Sequence, residues 1–427
     1  MKILTDRQFE EKLLGKIVSR GTFDFDSVFP NVEGIVRDVA TDGDDAVICY
    51  TKKFDRVNLT KESIRVGERE IEESFSRLAQ SEIEALKRAI KNIERFHRAQ
   101  LKLSFSLYVA RGVKAGRAVR PLSSVGIYAP GGRASYPSSV LMCAVPARVA
   151  GVERILVCSP PTKNGDVDPN TIVAAKLAGA TDLFRVGGPQ AIAAMAYGTQ
   201  TIQQVDKIVG PGNVFVTAAK ILVRTKVAID FPAGPSEILI LADETADPKS
   251  IALDLIAQTE HDPCAVGILM TTSKRIAKAA IAIIDKELKS LPRQNIVKTA
   301  LVRRGAMILV KSLDRAVDYA NLIAPEHLEI MTRDPWRIFS QVRNAGAVFL
   351  GKYSPTALGD YCAGTNHVLP TGGYARMYSG LSVNDFLKTI EFLQCTKQGH
   401  VELKETAVAL AMMEGLEGHA KSIASRM

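Results

Sequence analysis

Val125-Gly-Ile-Tyr-Ala-Pro-Gly-Gly132 is a short apolar run that breaks into a glycine-rich turn just ahead of the helix-forming stretch Tyr136-Ala150. A buried strand, a tight turn and a helix in that order make the repeating unit of a parallel α/β sheet. The unit recurs. Arg154-Cys158, Leu183-Val186, Lys207-Val209 and Val227-Ile229 read as further strands, with helices at Asn170-Ala178, Gln190-Tyr197 and Val214-Arg224. Glycine-rich turns follow two of these strands as well, in Val186-Gly-Gly-Pro-Gln-Ala-Ile192 and Gly210-Pro-Gly-Asn-Val214. Three such turns at strand ends line one edge of a sheet, where doubly wound folds admit a dinucleotide. Neither a G-x-G-x-x-G fingerprint nor a phosphate-loop G-x-x-x-x-G-K-[ST] occurs, so any nucleotide is held in another way.

The alternation resumes after Phe231-Pro-Ala-Gly-Pro235, with strands near Glu237-Leu241, Val266-Thr271, Ala306-Val310, His327-Met331 and Ala347-Leu350. Two doubly wound, Rossmann-like α/β units in one chain are therefore expected, with an N-terminal helical segment and a small C-terminal helical tail. From Met1 to about Ser104 the pattern is mainly helical, with an apolar stripe through Ile71, Phe75, Leu78, Ile83, Leu86, Ile90, Ile93 and Phe96. His97, in this charged stretch, is expected to be a solvated surface imidazole. Gly351 to Ser382 is rich in glycine and reads as one long functional loop. Asn384 to Met427 reads as two helices, too few to hold a core, which should dock elsewhere, on a second subunit.

The chain of 427 residues suggests two or three domains. Its net charge of +9 is scattered among nearby Asp and Glu, and aromatics are only 6%, which argues against a nucleic-acid-binding stripe. No apolar run reaches the roughly 18 to 20 residues that span a bilayer, and charge comes too early for a signal peptide. Six dispersed cysteines without a Cys-x-x-Cys fit a reducing cytoplasm and argue against a thiolate zinc site.

The stretch Ala252-Leu-Asp-Leu-Ile-Ala-Gln-Thr-Glu-His-Asp-Pro-Cys264 carries the chemistry. Asp247 is placed to cap its helix, Pro248 to open it and Pro263 to end it. Gln258 and His261, three residues apart at the helix end, share a face and can converge on one point. Glu326-His327, Asp360 and His419 are the other groups such a point needs. Each also has a plain alternative: a dipole-matched helix end for His261, an Asx-turn for Asp360, a solvent-facing tail residue for His419. His367 reads as structural or supporting, His400 as a surface residue, and Cys143, inside an apolar helix, as packed core rather than a nucleophile.

In order along the chain, these pieces resemble the histidinol dehydrogenase family. The resemblance runs over nearly all residues. It includes Gly43-Asp44, Thr51-Lys-Lys-Phe-Asp55, Tyr128-Ala-Pro-Gly-Gly132, Gly187-Gly-Pro-Gln190, Val205-Asp-Lys-Ile-Val-Gly-Pro-Gly-Asn213 and Ala233-Gly-Pro-Ser-Glu237. It continues through Glu260-His-Asp-Pro263, Pro325-Glu-His327, Gly359-Asp-Tyr361, Asn366-His-Val-Leu-Pro-Thr-Gly-Gly373 and Glu414-Gly-Leu-Glu-Gly-His419. Arg133 and Ser135, after the first glycine turn, look like variable positions.

The resemblance implies a zinc-containing enzyme, one ion per subunit, that oxidises L-histidinol to L-histidine through a bound aldehyde with two NAD molecules in turn. It implies Gln258, His261, Asp360 and His419 as zinc ligands, and Glu326 and His327 as acid–base residues. Ser236, His327 and Glu414 would contact substrate alongside the ligands, and Tyr128, Gln190 and Asn213 would face NAD. The family is a homodimer whose site is completed across the interface. On this reading residues 1–21 form an N-terminal extension. Residues 22–128 and 233–364 form a discontinuous unit carrying most metal and catalytic residues, 129–232 the NAD-binding unit, and 365–427 the linker and tail. Two rival expectations remain: an aldehyde dehydrogenase relative working through a thiohemiacetal, and a metal- and nucleotide-binding scaffold without catalysis.

Overall fold

The computed structural model describes residues 2–20, 27–131, 135–231 and 234–426. Gly132, Arg133 and Ala233, and with them part of the first glycine turn and of the expected junction, lie outside the described residues. The strands are β1 (Ile3–Thr5), β2 (Phe105–Ala110), β3 (Val113–Pro121), β4 (Ser124–Tyr128), β5 (Arg154–Cys158), β6 (Asp182–Phe184) and β7 (Lys207–Val209). They continue with β8 (Ala228–Ile229), β9 (Glu237–Ala242), β10 (Val266–Thr271), β11 (Gly305–Leu309), β12 (His327–Met331), β13 (Ala347–Leu350) and β14 (Leu387–Cys395).

Two parallel sheets result, as the alternation requires. One has the order β6-β5-β4-β7-β8 and the other β1-β11-β10-β9-β12-β13. In each, the first strand of the α/β run is central; the next two strands wind to one side and the following two to the other. The order reverses between β4 and β7 in the first sheet and between β9 and β12 in the second. These are the switch points where such sheets open a crevice. Strands buried on both faces, such as Glu237–Ala242 and Val266–Thr271, are apolar almost throughout.

Three parts of the fold differ from expectation. Residues 105–121 form β2 and β3, which pair antiparallel with β14 in a separate three-stranded sheet. The tail therefore begins with a nine-residue strand, Leu387–Cys395, before its helices Lys397–Met413 and Glu417–Ala424. β2 and β14 are exposed along most of their length although β2 carries an apolar run, with Phe105, Leu107, Tyr108 and Val109 facing outward, so apolar character did not mark burial here. The N-terminal extension is also not wholly helical, since β1 adds an edge strand beside β11.

The packing also cuts across the expected division of the chain. β4, at the end of the 22–128 segment, is the central strand of the 129–232 sheet. Val32, Val36 and Val39 from helix Phe29–Asp42 and Val47 from helix Asp44–Asp55 share one core with Ile192, Met195, Val216 and Val223. Ile90 and Ile93 from helix Gln80–Arg98 join Val140 to Val145 and Ile172 on the opposite face. The apolar stripes of these N-terminal helices thus cover the helices of the first sheet, not those of the second. His97 lies on the same stripe, four residues after Ile93, and is fully buried with Nδ1 2.8 Å from the Ile93 carbonyl oxygen. Burial pushes its pKa below the ordinary imidazole value. It is not a surface residue.

The turn after β7 is fixed by a buried ion pair. Lys220, on helix Val214–Val223, is paired with Asp230, and both side chains are at most 5% exposed. Lys220 also donates to the Gly210 carbonyl at 3.0 Å, and Asp230 accepts from the Gly210 amide at 2.9 Å. Gly210 has φ +116°, and a Cβ there would overlap the Tyr128 carbonyl, so only glycine fits. Lys220→Met would leave the Asp230 charge buried without its partner. Denaturant titration is expected to show a loss of about 3 kcal/mol; an unchanged midpoint would mean that the pair does not hold this turn.

Candidate active site

The helix Pro248–Thr259 forms as its sequence predicts, with the Asp247 carboxylate accepting from the Lys249 and Ser250 amides. It runs back from the carboxyl edge of the second sheet and delivers Gln258 to the amino edge, with His261 just beyond the helix end. β12 begins at His327 and β9 at Glu237, so Glu326, His327 and Glu237 meet at this same edge. Asp360 comes from the short helix Thr356–Tyr361 within the long glycine-rich segment.

The approach to Glu326 and His327 is shaped by an unusual residue. Ala324 ends helix Leu313–Ile323 with φ +49°, in the left-handed region that an alanine rarely adopts. Pro325 follows, and the Glu326 carbonyl then accepts from the Ala347 amide at 2.9 Å. A strained residue beside chemically active groups is the usual place for such a conformation.

The acid–base groups form a buried row. Glu326 Oε2 lies 3.5 Å from His327 Nδ1, and His327 Nε2 lies 3.3 Å from Asp360 Oδ1 without hydrogen-bond alignment. Glu326 Oε2 also accepts from the Glu237 amide at 2.8 Å, and His327 Nδ1 is 3.0 Å from the Glu237 carbonyl oxygen. Gln258 Nε2 donates to Asp360 Oδ2 and to Thr356 Oγ1, each at 3.1 Å. Burial disfavours charge on His327, but the Glu326 and Asp360 carboxylates outweigh it and hold its pKa well above the ordinary value. Burial raises Glu326 above the usual carboxylate range, although His327 opposes this. Burial works the same way on Asp360, yet His327 and Gln258 pull it below that range. Burial lowers His261, which also feels the charge of Asp360, so its imidazole stays neutral.

The structure brings together Gln258, His261, Glu326, His327 and Asp360. His367 belongs to the same neighbourhood, its Nδ1 2.7 Å from the Asp360 carbonyl oxygen and its Nε2 3.4 Å from Ser139 Oγ. Ser236 is half-buried just ahead of β9. Glu414 and His419 are elsewhere, exposed on the tail. His400, expected at the surface, is half-buried, with Nε2 3.0 Å from the Ile423 carbonyl oxygen, tying the two tail helices together.

At the carboxyl edge of the first sheet, Tyr128 is buried and its hydroxyl accepts from the Gly188 amide at 3.2 Å; burial pushes its pKa up to about 12. Gln190 is wholly buried, and neither atom of its amide has a hydrogen-bond partner. Asn213 caps helix Val214–Val223, accepting from the Phe215 and Val216 amides. Ser135 donates to Asp168 Oδ1 at 2.7 Å, which anchors it to the cap of a neighbouring helix.

Sequence reasoning passed over several buried polar groups around this row. Glu237 heads the apolar strand Glu237–Ala242, and Glu329 sits inside His327–Met331. Asp254, on the buried face of its helix, faces Glu329, and burial raises it to about 6 and Glu329 well above the usual range. A carboxylate inside a fully buried strand is itself a signal, because its charge must be paired or neutralised.

The histidinol dehydrogenase family model matches residues 18–427. The chain belongs to the histidinol dehydrogenase family. The histidinol dehydrogenase of Methanothermobacter thermautotrophicus is 50% identical over 420 residues, covering 98% of each chain. That of Clostridium acetobutylicum is 47% identical over 427 residues, covering 100% of this chain and 99% of its own. The crystal structure of histidinol dehydrogenase from Elizabethkingia anophelis superposes with a TM-score of 0.94 at 38% identity, covering 100% of this chain and 98% of that one. Membership makes the chain an oxidoreductase of histidine biosynthesis, acting on histidinol. Among the described residues no helix is long and apolar enough to cross a membrane.

A thiohemiacetal route, as in the aldehyde dehydrogenase alternative, needs an accessible thiol. Cys143 is fully buried and its burial pushes the thiol far up; Cys158 is raised to about 12 in the same way. Alkylation of the native protein is expected to label the exposed Cys49 and Cys395 and to leave Cys143 and Cys158 unmodified until unfolding, as read by peptide mass spectrometry. Activity lost in step with Cys143 labelling would restore the thiol route.

Proposed function

We propose that this histidinol dehydrogenase family member converts L-histidinol to L-histidine in two hydride transfers to NAD, through an L-histidinaldehyde that stays bound. A zinc ion would hold the substrate, and a second copy of the chain would complete the site. The orientation of His327 carries this reading. Its Nδ1 faces the Glu237 carbonyl oxygen, which can only accept, so Nδ1 bears the ring proton. Once its second proton is given up, the ring presents an Nε2 lone pair, buried and without an aligned hydrogen-bond partner, on the side of Asp360 and Gln258. That is a general base aimed at the cleft.

In the first oxidation, Nε2 takes the alcohol proton while the carbinol hydride leaves for NAD. Asp360 and Glu326 stabilise the imidazolium that forms. In the second, water adds to the aldehyde and Glu326 takes its proton; burial has already moved this carboxyl up toward the working range of a base. The hydrate then loses its hydride to a second NAD. As the hydrate's hydroxyl proton leaves with that hydride, one histidinol, one water and two NAD+ give one histidine, two NADH and three protons.

The donors fit a divalent ion: an amide at Gln258, a neutral imidazole at His261 and an ionised carboxylate at Asp360. Among the described residues no group of three or more His, Cys, Asp and Glu side chains could hold a metal ion. His419 would be the fourth donor, from the tail of the second copy, with Glu414 contacting substrate beside it. Exposed Leu410, Met412, Met413 and Leu416 around those residues support a homodimer. When bound, the ion would supply a chelating centre for the substrate nitrogens and would offset the charge of Asp360, one of the two carboxylates that raise His327. Tyr128, Gln190 and Asn213 would face NAD; the unpartnered amide of Gln190 supports this. Free, dispersed cysteines support a reducing cytoplasmic setting.

Glu326→Gln is expected to slow oxidation of added histidinaldehyde by about 100-fold or more, while a pre-steady-state burst of NADH from histidinol survives. Wild-type aldehyde turnover in stopped flow would remove Glu326 from the second step. A chelator should abolish histidinol-dependent NADH formation with circular dichroism unchanged, and the untreated enzyme should yield two NADH per histidinol. Full activity after metal removal would exclude the ion.

A further inference from the structure

Glu237 is the common backbone partner of both acid–base residues, and its own side chain is held from a distant part of the chain. Arg20, at the end of the N-terminal arm, donates from Nε to Glu237 Oε1 and from Nη2 to Oε2, each at 2.6 Å. Both side chains are 5% exposed. The remaining Arg20 nitrogen, Nη1, donates to the Ile17 carbonyl at 2.7 Å and to the Ile323 carbonyl at 3.0 Å. Ile323 immediately precedes the left-handed Ala324 that aims Pro325, Glu326 and His327. Glu237 Oε1 accepts in addition from the Gly372 amide at 2.9 Å, from the far end of the glycine-rich segment that carries Asp360.

One guanidinium therefore grips both pieces of backbone that set the row's direction. One is the first residue of β9, whose N–H holds Glu326 and whose C=O holds His327. The other is the helix end from which Glu326 and His327 depart. A planar fork with parallel donors can do this; an ammonium on a flexible stem cannot satisfy the same acceptors in fixed geometry. No substrate atom need touch Arg20.

We infer that Arg20 is a positioning residue for the Glu326–His327 pair, acting through Glu237 and the Ile323 carbonyl, so that the N-terminal arm belongs to the catalytic apparatus. The inference rests on the acid–base reading of those two residues. A displacement of roughly an ångström at a reacting group is worth about a hundredfold in rate. Arg20→Lys, made in the full-length holoenzyme, should therefore lower kcat for histidinol by about 10- to 100-fold, with KM shifted by less than about threefold. The decisive readout is a double-mutant cycle with His327→Asn. If Arg20 acts by aiming His327, adding Arg20→Lys to His327→Asn should slow the enzyme by less than about twofold further.

Independent losses that multiply in the double variant, or a wild-type kcat in Arg20→Lys, would overturn the positioning role while leaving the acid–base reading intact. Full activity in His327→Asn would instead sink the acid–base reading, and this inference with it. Should Arg20→Lys fail to fold, Glu237→Gln serves in its place. It keeps the side-chain shape and the acceptor for Gly372, weakens the fork, and carries the same expectation in the same cycle.

Discussion

The head of β9 is where the sheet meets the chemistry of this molecule, because the backbone of Glu237 touches both acid–base side chains. Glu237 pairs with Val266 of β10, while the pairing of β9 with β12 starts one residue later, at Ile238 opposite His327. The amide is satisfied by the Glu326 carboxylate and the carbonyl by the His327 ring. Buried backbone groups demand partners, so the sheet edge and the acid–base pair fix each other. The tautomer of the imidazole follows from that contact, and with it the direction of its lone pair.

The two sheets contribute opposite edges. The glycine-rich turns follow the carboxyl ends of β4, β6 and β7, and the helices Gly188–Tyr197 and Val214–Val223 begin directly after the last two. Glu326 and His327 stand at the amino ends of strands in the other sheet. The edges therefore differ: one is built of glycine-rich turns with Tyr128, Gln190 and Asn213, the other of a row of buried titratable side chains. The like winding of the two sheets does not make their working ends alike.

Much of this was legible in residues whose neighbours in sequence are also their neighbours in space. The buried parallel strands showed themselves as apolar runs, the helix Pro248–Thr259 by its Asp-Pro start, and the glycine turns by composition. The exposed ribbon of β2, β3 and β14 was not legible, because its pairing is long-range and its faces carry no clean alternation. His97 was misread for a related reason: its helix is densely charged, yet the histidine falls on the narrow stripe that meets the core. Arg20 and Glu237 are separated by 217 residues, and no local pattern announces a pair so distant. A carboxylate at the head of an apolar strand was the only clue, and it names one partner without naming the other.

Ala324 has a further consequence. A glycine would relax into that left-handed turn more cheaply, by about 1 kcal/mol, yet it would also act as a swivel one residue ahead of Pro325. The methyl group narrows the rotation open to the joint, and proline locks the next bond. The chain thus accepts a permanently wound spring at this point, and the stiffness so obtained keeps two side chains pointing the same way whether or not anything fills the cleft.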